Sequence, residues 1–208
     1  MTPTADQALL IFTRNPELGK CKTRLAATIG DQAALEVYKH LLRHTASQAE
    51  SFQEADKFVY FTEALGTGEF WNPERFEYKL QQGSDLGEKM QNAFMEAFHA
   101  GYKRVVLIGS DLPDLDTQVL SDAFAALQSQ KVVLGPASDG GYYLVGLVEV
   151  PGQIFSGKAW GGPEVLADTL SDLKGIPVSL LAEKNDVDRY EDIAHRPEFK
   201  PYITHISK

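Results

Sequence analysis

The densest chemistry in this chain sits in one short stretch: Pro16-Glu17-Leu18-Gly19-Lys20-Cys21-Lys22-Thr23-Arg24-Leu25. It follows an apolar run, Ala8–Phe12, that reads as a buried first strand. Between Arg14 and Arg24 stand four cations (Arg14, Lys20, Lys22, Arg24) and one anion, Glu17, in a chain whose formal net charge is -9. A cationic loop at a strand end, inside an acidic protein, suits a small and highly charged anion, above all a phosphate. Gly19 lets the backbone approach such a ligand while Lys and Arg neutralise it. Arg14, Gly19, Lys22, Thr23 and Arg24 are therefore the candidate phosphate-binding residues. From charge alone, a merely solvated basic loop fits equally well. The loop is not a Walker loop, because Cys21 follows Gly19-Lys20 where Ser or Thr is required, and no G-x-G-x-x-G follows the first strand.

Four other segments carry candidate chemistry. In Val105-Val106-Leu107-Ile108-Gly109-Ser110-Asp111-Leu112-Pro113 a buried strand ends in a carboxylate. Ligands of open α/β sheets lie beyond the carboxyl ends of the strands. Mg²⁺ is held by one or two carboxylates plus substrate phosphates, so Asp111 is a candidate metal ligand and Asp116 a helix cap. In Ala137-Ser138-Asp139-Gly140-Gly141-Tyr142-Tyr143, the bland reading is a hairpin turn. The functional one has Gly140 and Gly141 admitting a substrate, Asp139 accepting from sugar hydroxyls and Tyr142 walling the pocket. In Asn185-Asp186-Val187-Asp188-Arg189, alternation puts Asp186 and Asp188 on one side of an extended segment; either completes a metal site with Asp111 or caps the closing helix. In Gln81–Met90, Gly83 precedes a helix N-terminus that favours anions, with Asp85 and Glu88 forming a capping box.

Other residues offer less. His40 and His44 have the spacing of paired metal ligands, but no third ligand is evident and a polar helix face is the plainer reading. Cys21 precludes an intrachain disulfide, and its two flanking lysines are expected to lower its pKa. Trp71 and Trp160 read as packing residues. No G-x-S-x-G elbow is present.

These residues must be positioned by alternating strands and helices. Strands are expected at 8–13, 58–62, 76–81, 104–109, 132–135, 142–147 and 177–181. Helices are expected at 31–50, 85–100, 117–129 and 163–173, the last with Pro163 in its first turn. That alternation predicts an α/β fold with a mostly parallel central sheet flanked by helices. Residues 1–208 read as one domain with a loose tail at 1–7. The acidic balance argues against a nucleic-acid partner, and no apolar run reaches the length of a membrane span. A cytoplasmic protein is the expectation.

In that order, R-x-P-x-x-G-x-x-K-T-R-L, Q-x-G-x-D-L-G-E-K-M, G-S-D-x-P, S-D-G-G-Y-Y-L-x-G-L and D-V-D resemble the bacterial radical-SAM/selenodomain-associated transferases. That group belongs to the nucleotide-diphospho-sugar transferase superfamily, with a glycosyltransferase-A-like fold. The resemblance spans residues 8 to about 195. It implies that Asp111 and Asp188 are metal ligands and that Lys22 and Arg24 hold nucleotide phosphates. Gly83 and Ser110 join the candidate phosphate-binding residues. Arg189 stands where related enzymes often carry Thr. The implied activity is that of a transferase using Mg²⁺ (or Mn²⁺), with a nucleotide or nucleotide-sugar and a small-molecule acceptor as partners. Nucleotidyl transfer from an NTP to a phosphorylated small molecule is the preferred reaction. Glycosyl transfer is the alternative, and a non-catalytic nucleotide or sugar-phosphate binder the third reading. Oligomeric state stays open.

Overall fold

A computed structural model describes residues 5–206. Its strands are Gln7–Thr13 (β1), Asp56–Phe61 (β2), Glu77–Leu80 (β3), Arg104–Ile108 (β4), Val132–Pro136 (β5), Tyr142–Leu147 (β6) and Val178–Leu180 (β7). Its helices are Thr23–Ile29 (α1), Asp31–Ser51 (α2), Leu86–His99 (α3), Thr117–Ala126 (α4), Val165–Asp172 (α5) and Lys200–Ile203 (α6). The seven strands form one sheet in the order β3-β2-β1-β4-β6-β5-β7. All neighbours are parallel except β6, which runs antiparallel to both β4 and β5. The expected mostly parallel sheet is therefore present, and the Asp139-Gly140-Gly141 turn closes the β5–β6 hairpin.

Side chains alternate across the pleat and build a core on each face. Leu9, Ile11, Val59, Val106 and Ile108 pack on one side with Leu42 and Phe52 of the α2 region and Phe124 of α4. Leu10, Phe12, Tyr60, Val105 and Leu107 pack on the other with Met90 and Phe94 of α3. A third cluster joins Leu25 and Ile29 of α1 to Val187, Ile193 and Phe199 near the C-terminus.

Helix starts follow side-chain chemistry. Asp85 caps α3 by accepting from the Glu88 amide at 2.8 Å, while Glu88 accepts from the Ser84 amide rather than from that of Asp85. Asp116 caps α4 through the Val119 amide at 2.8 Å, as expected. Three expectations need correction. Pro163 precedes α5, which begins at Val165. The basic stretch is only partly a loop, because Thr23 and Arg24 open α1. Of the expected tail, residues 1–4 lie outside the described residues and Gln7 already pairs with Arg104 in the sheet. No described helix is long and apolar enough to cross a membrane.

Candidate functional site

The sheet order reverses at β1 and β4. From β1 the chain moves outward to β2 and β3, whereas β4 adjoins β1 on its opposite edge. Loops leaving two such strands diverge and open a crevice at their carboxyl ends. Both sequence-predicted loops empty into this crevice. Lys22 Nζ lies 2.7 Å from Asp111 Oδ2, and its side chain is only 11% exposed. Lys22 reaches that position from a left-handed backbone (φ 49°, ψ 46°), the only non-glycine with positive φ among the described residues. Such a conformation costs on the order of 1 kcal/mol and persists only where its surroundings impose it. Burial works to lower the Lys22 pKa, but the Asp111 carboxylate, aided by Asp186, outweighs it and the net shift is upward.

Tyr38 of α2 braces the floor of the crevice. Its hydroxyl accepts from the Arg14 amide at 2.9 Å and lies 3.2 Å from both Thr13 Oγ1 and Ser110 Oγ. Ser110, expected at a phosphate, is buried and lies at the chamber wall within this network. Desolvation raises the Tyr38 pKa, so it remains a neutral hydrogen-bonding group.

The late acidic segment arrives through its central valine. Val187 is fully buried in the third cluster, and its amide donates to the Asp111 carbonyl at 3.1 Å. Alternation then turns Asp186 and Asp188 toward the crevice, where both line it. Neither caps the closing turn: Asp192 reaches back and accepts from the Asp188 and Arg189 amides at 2.8 and 2.6 Å. Asp188 Oδ2 meets Arg24 at 2.9 Å, which raises the guanidinium pKa. Desolvation and then the Asp111 carboxylate push Asp186 up to about 6 against the opposing pull of Lys22.

The crevice has two compartments. A chamber of about 680 Å³ is lined by the cations Arg14, Lys20, Lys22, Arg24 and Lys89 and by Gln81. A second cavity of about 210 Å³ is walled by Phe12, Met90, Tyr142, Tyr143, Leu144 and Trp160. Asp111, Asp139 and Asp186 line both. The Trp160 wall is built by close approach. A Cβ on Gly87 would sit 2.0 Å from the Phe155 carbonyl oxygen and 2.8 Å from the Trp160 indole, and one on Gly140 would sit 2.0 Å from the Pro163 carbonyl oxygen.

The structure brings together Arg14, Lys22, Thr23, Arg24, Ser110, Asp111, Asp139 and Asp188 around the first chamber, and Gly141 and Tyr142 around the second. Gly19 and Gly83 lie outside both linings. Gly19 serves the turn geometry with φ 73°, and Gly83 packs on the first turn of α3. Gly140 shapes its turn and receives the Pro163 segment rather than lining a cavity. Cys21 departs from its expectation: burial raises the thiol pKa and outweighs the nearby cations. His44 Nε2 lies 2.7 Å from the Leu115 carbonyl, and His40 packs edge-on against Phe199 and Tyr202. Sequence reading missed Tyr38, Gln81, Lys89 and the wall role of Trp160. The glutamine and lysine stand inside the Gln81–Met90 segment, where Gly83 reads as the anion-binding residue and Asp85 and Glu88 as caps; Tyr38 is an ordinary core position in the sequence.

Among the described residues no three His, Cys, Asp or Glu side chains group to hold a metal ion. Two carboxylates suffice for Mg²⁺ when phosphates supply further ligands. The repulsion between Asp111 and Asp186 is what a divalent cation would relieve, so the donor set fits one.

A sheet of this order, helices on both faces, is the architecture of nucleotide-diphospho-sugar transferases and cytidylyltransferases. With this architecture, the chain belongs to the family described as "Uncharacterized protein conserved in bacteria (DUF2064)", which matches residues 45–162. It is similar, at 30% identity, to a "putative nucleotide-diphospho-sugar transferase" from Desulfovibrio desulfuricans G20, with a TM-score of 0.87 over 98% of this chain and 96% of that one. It shares its fold with 4-diphosphocytidyl-2C-methyl-D-erythritol synthase from Anaerococcus prevotii DSM 20548 (10% identity, TM-score 0.60, 94% and 98% of the two chains). It also shares the fold of CMP:2-keto-3-deoxy-manno-octonic acid synthetase complexed with CTP (10% identity, TM-score 0.56, 97% and 99%). None of the curated proteins matches this chain.

Proposed function

We propose that this protein is a divalent-metal-dependent transferase acting on a nucleotide, of the radical-SAM/selenodomain-associated group its motifs resemble. Its reaction on this reading is nucleotidyl transfer from a nucleoside triphosphate to a small-molecule acceptor. One observation carries the reading: five cations line a single chamber that also receives Asp111, Asp186 and Asp188. A volume of about 680 Å³ suits a ligand of nucleotide size. The fold neighbour complexed with CTP supports the choice of a nucleotide.

Lys22, Arg24 and Arg14 would hold the triphosphate and disperse its charge, and the braced Arg14 backbone fixes the first loop. Asp111, with Asp188 or Asp186, would hold Mg²⁺ (or Mn²⁺), which would supply charge neutralisation for the phosphates. Phosphoryl chemistry of this kind needs positioning and charge stabilisation more than a nucleophilic side chain. Glycosyl transfer is the second reading, favoured by the name of the 30%-identical Desulfovibrio protein.

Calorimetric titration of NTPs and nucleotide-sugars with Mg²⁺, followed by product analysis with candidate acceptors, tests the reading. Pyrophosphate release is the expected result. Release of a nucleoside diphosphate selects the glycosyl reading, and binding without turnover selects a non-catalytic binder. Absence of any nucleotide binding overturns both transfer readings and the nucleotide-binding form of the third.

A further inference from the structure

The two compartments differ in charge. All five cations stand in the larger chamber, and the smaller cavity is lined by no Lys, Arg or His among the described residues. Three carboxylates line it. Even with Asp111 paired to Lys22 at 2.7 Å, and with Asp111 and Asp188 taken as the metal pair, Asp139 and Asp186 remain. The other walls are mainly apolar, with the Tyr142 and Trp160 rings perpendicular at 6.4 Å.

A phosphate monoester, with close to two negative charges at neutral pH, would enter this cavity against those carboxylates and without a cationic donor. A neutral ligand with hydroxyls meets the opposite situation. Carboxylates accept from its hydroxyls through charge-assisted hydrogen bonds, and its apolar face packs on Trp160. The indole is held in place because Gly87 leaves room for it against α3.

We infer that the smaller cavity takes an uncharged, hydroxyl-bearing acceptor with an apolar face, an unphosphorylated sugar or alcohol rather than the phosphorylated acceptor suggested by the motifs. This rests on the larger chamber being the nucleotide site. In nucleotidyl transfer the acceptor hydroxyl oxygen bonds to the α-phosphorus. The bond from that phosphorus to the pyrophosphate breaks with its electron pair on the leaving pyrophosphate, and the hydroxyl proton passes to water.

The test uses the full chain and a panel of sugars and alcohols, each paired with its own phosphate monoester, titrated by calorimetry with and without CTP, ATP and Mg²⁺. The expected result is that neutral members bind, that their esters bind at least tenfold more weakly, and that Trp160→Ala abolishes neutral binding while nucleotide binding persists. Quenching of Trp160 fluorescence, lost in Trp160→Phe, reports occupancy locally; Trp71 is buried in the core on the other face of the sheet. Esters binding as tightly as their neutral partners, or no pair binding in a Trp160-dependent way, overturns the inference. Neutral ligands binding while every nucleotide fails would remove the nucleotide reading and leave the preference of the cavity standing. Nucleotides binding while esters win removes only the preference.

Discussion

Lys22 Nζ and Asp111 Oδ2, 2.7 Å apart, join the loop after β1 to the loop after β4 across 89 positions of sequence. The contact fixes the cation of one loop against the carboxylate of the other. A charge so buried is strongly dependent on its partner.

Asp111→Asn should therefore lower stability by about 2–3 kcal/mol, because the Lys22 ammonium stays buried without its counter-charge. Adding Lys22→Met should recover part of that loss. Urea denaturation of both single variants and the double variant measures the coupling, and strict additivity would show that the pair is not energetically linked. In the same proteins, Mg²⁺-dependent nucleotide binding should be lost with Asp111→Asn.

Asp186 makes the ligand-free protein pH-dependent. Its carboxyl titrates near 6 in the folded chain, above the value of about 3.9 for an unperturbed aspartate. Between about pH 4 and 6 the folded state holds a proton that the unfolded chain has lost. The stabilisation from this group is thus fully present below about pH 4 and is lost as pH rises through 6, by up to about 2–3 kcal/mol. Asp186→Asn should remove that slope and be more stable than wild type at pH 7. Denaturation midpoints at half-unit intervals from pH 4 to 7 check this; an unchanged slope in the variant would exonerate Asp186.

Arg24 and Lys22 should divide their labour. The Arg24–Asp188 pair is solvent-facing, with side chains 58% and 37% exposed, so Arg24→Ala should leave the urea midpoint nearly unchanged. Triphosphate affinity should still fall about five- to tenfold in Arg24→Ala, and by more in the double variant with Lys22→Ala. The salt dependence of binding should flatten as each cation is removed. Unaltered affinity and salt slope in the double variant would reduce the loop to a solvated surface.

Tyr38→Phe tests the brace under the site. The variant loses the hydroxyl shared by Thr13, Arg14 and Ser110 and should be destabilised by about 1–2 kcal/mol. Nucleotide affinity should weaken, because Tyr38 lines the large chamber and fixes the Arg14 backbone beside it. Full affinity in a destabilised protein would confine Tyr38 to a packing role.

Gly87→Ala should displace Trp160, because the added methyl meets the Phe155 carbonyl and the indole. A stability loss of about 1–3 kcal/mol and a red shift in tryptophan emission are expected. Unchanged emission would show that α3 adjusts instead of the wall.

Periodicity determined most of the architecture. A short uniformly apolar run such as Val105–Ile108, set between turn residues, suits a central strand covered on both faces, and Asp85 and Asp116 mark helix starts by local hydrogen bonding, so these were legible from the sequence. Residue type likewise marked Lys22, Arg24, Asp111 and the D-V-D segment as chemistry. What the chain could not reveal locally was partnership. That Lys22 meets Asp111, that Arg24 meets Asp188, that Asp186 faces Asp111, and that Trp160 rests on Gly87 all depend on strand order and on Val187 docking beneath α1. The same holds for Cys21, whose neighbours in sequence are lysines but whose surroundings in space are buried. Propensity and capping act over a few residues, so sequence encodes them directly. Burial and the field at a titratable group are summed over segments distant in sequence, and only the folded chain sets those sums.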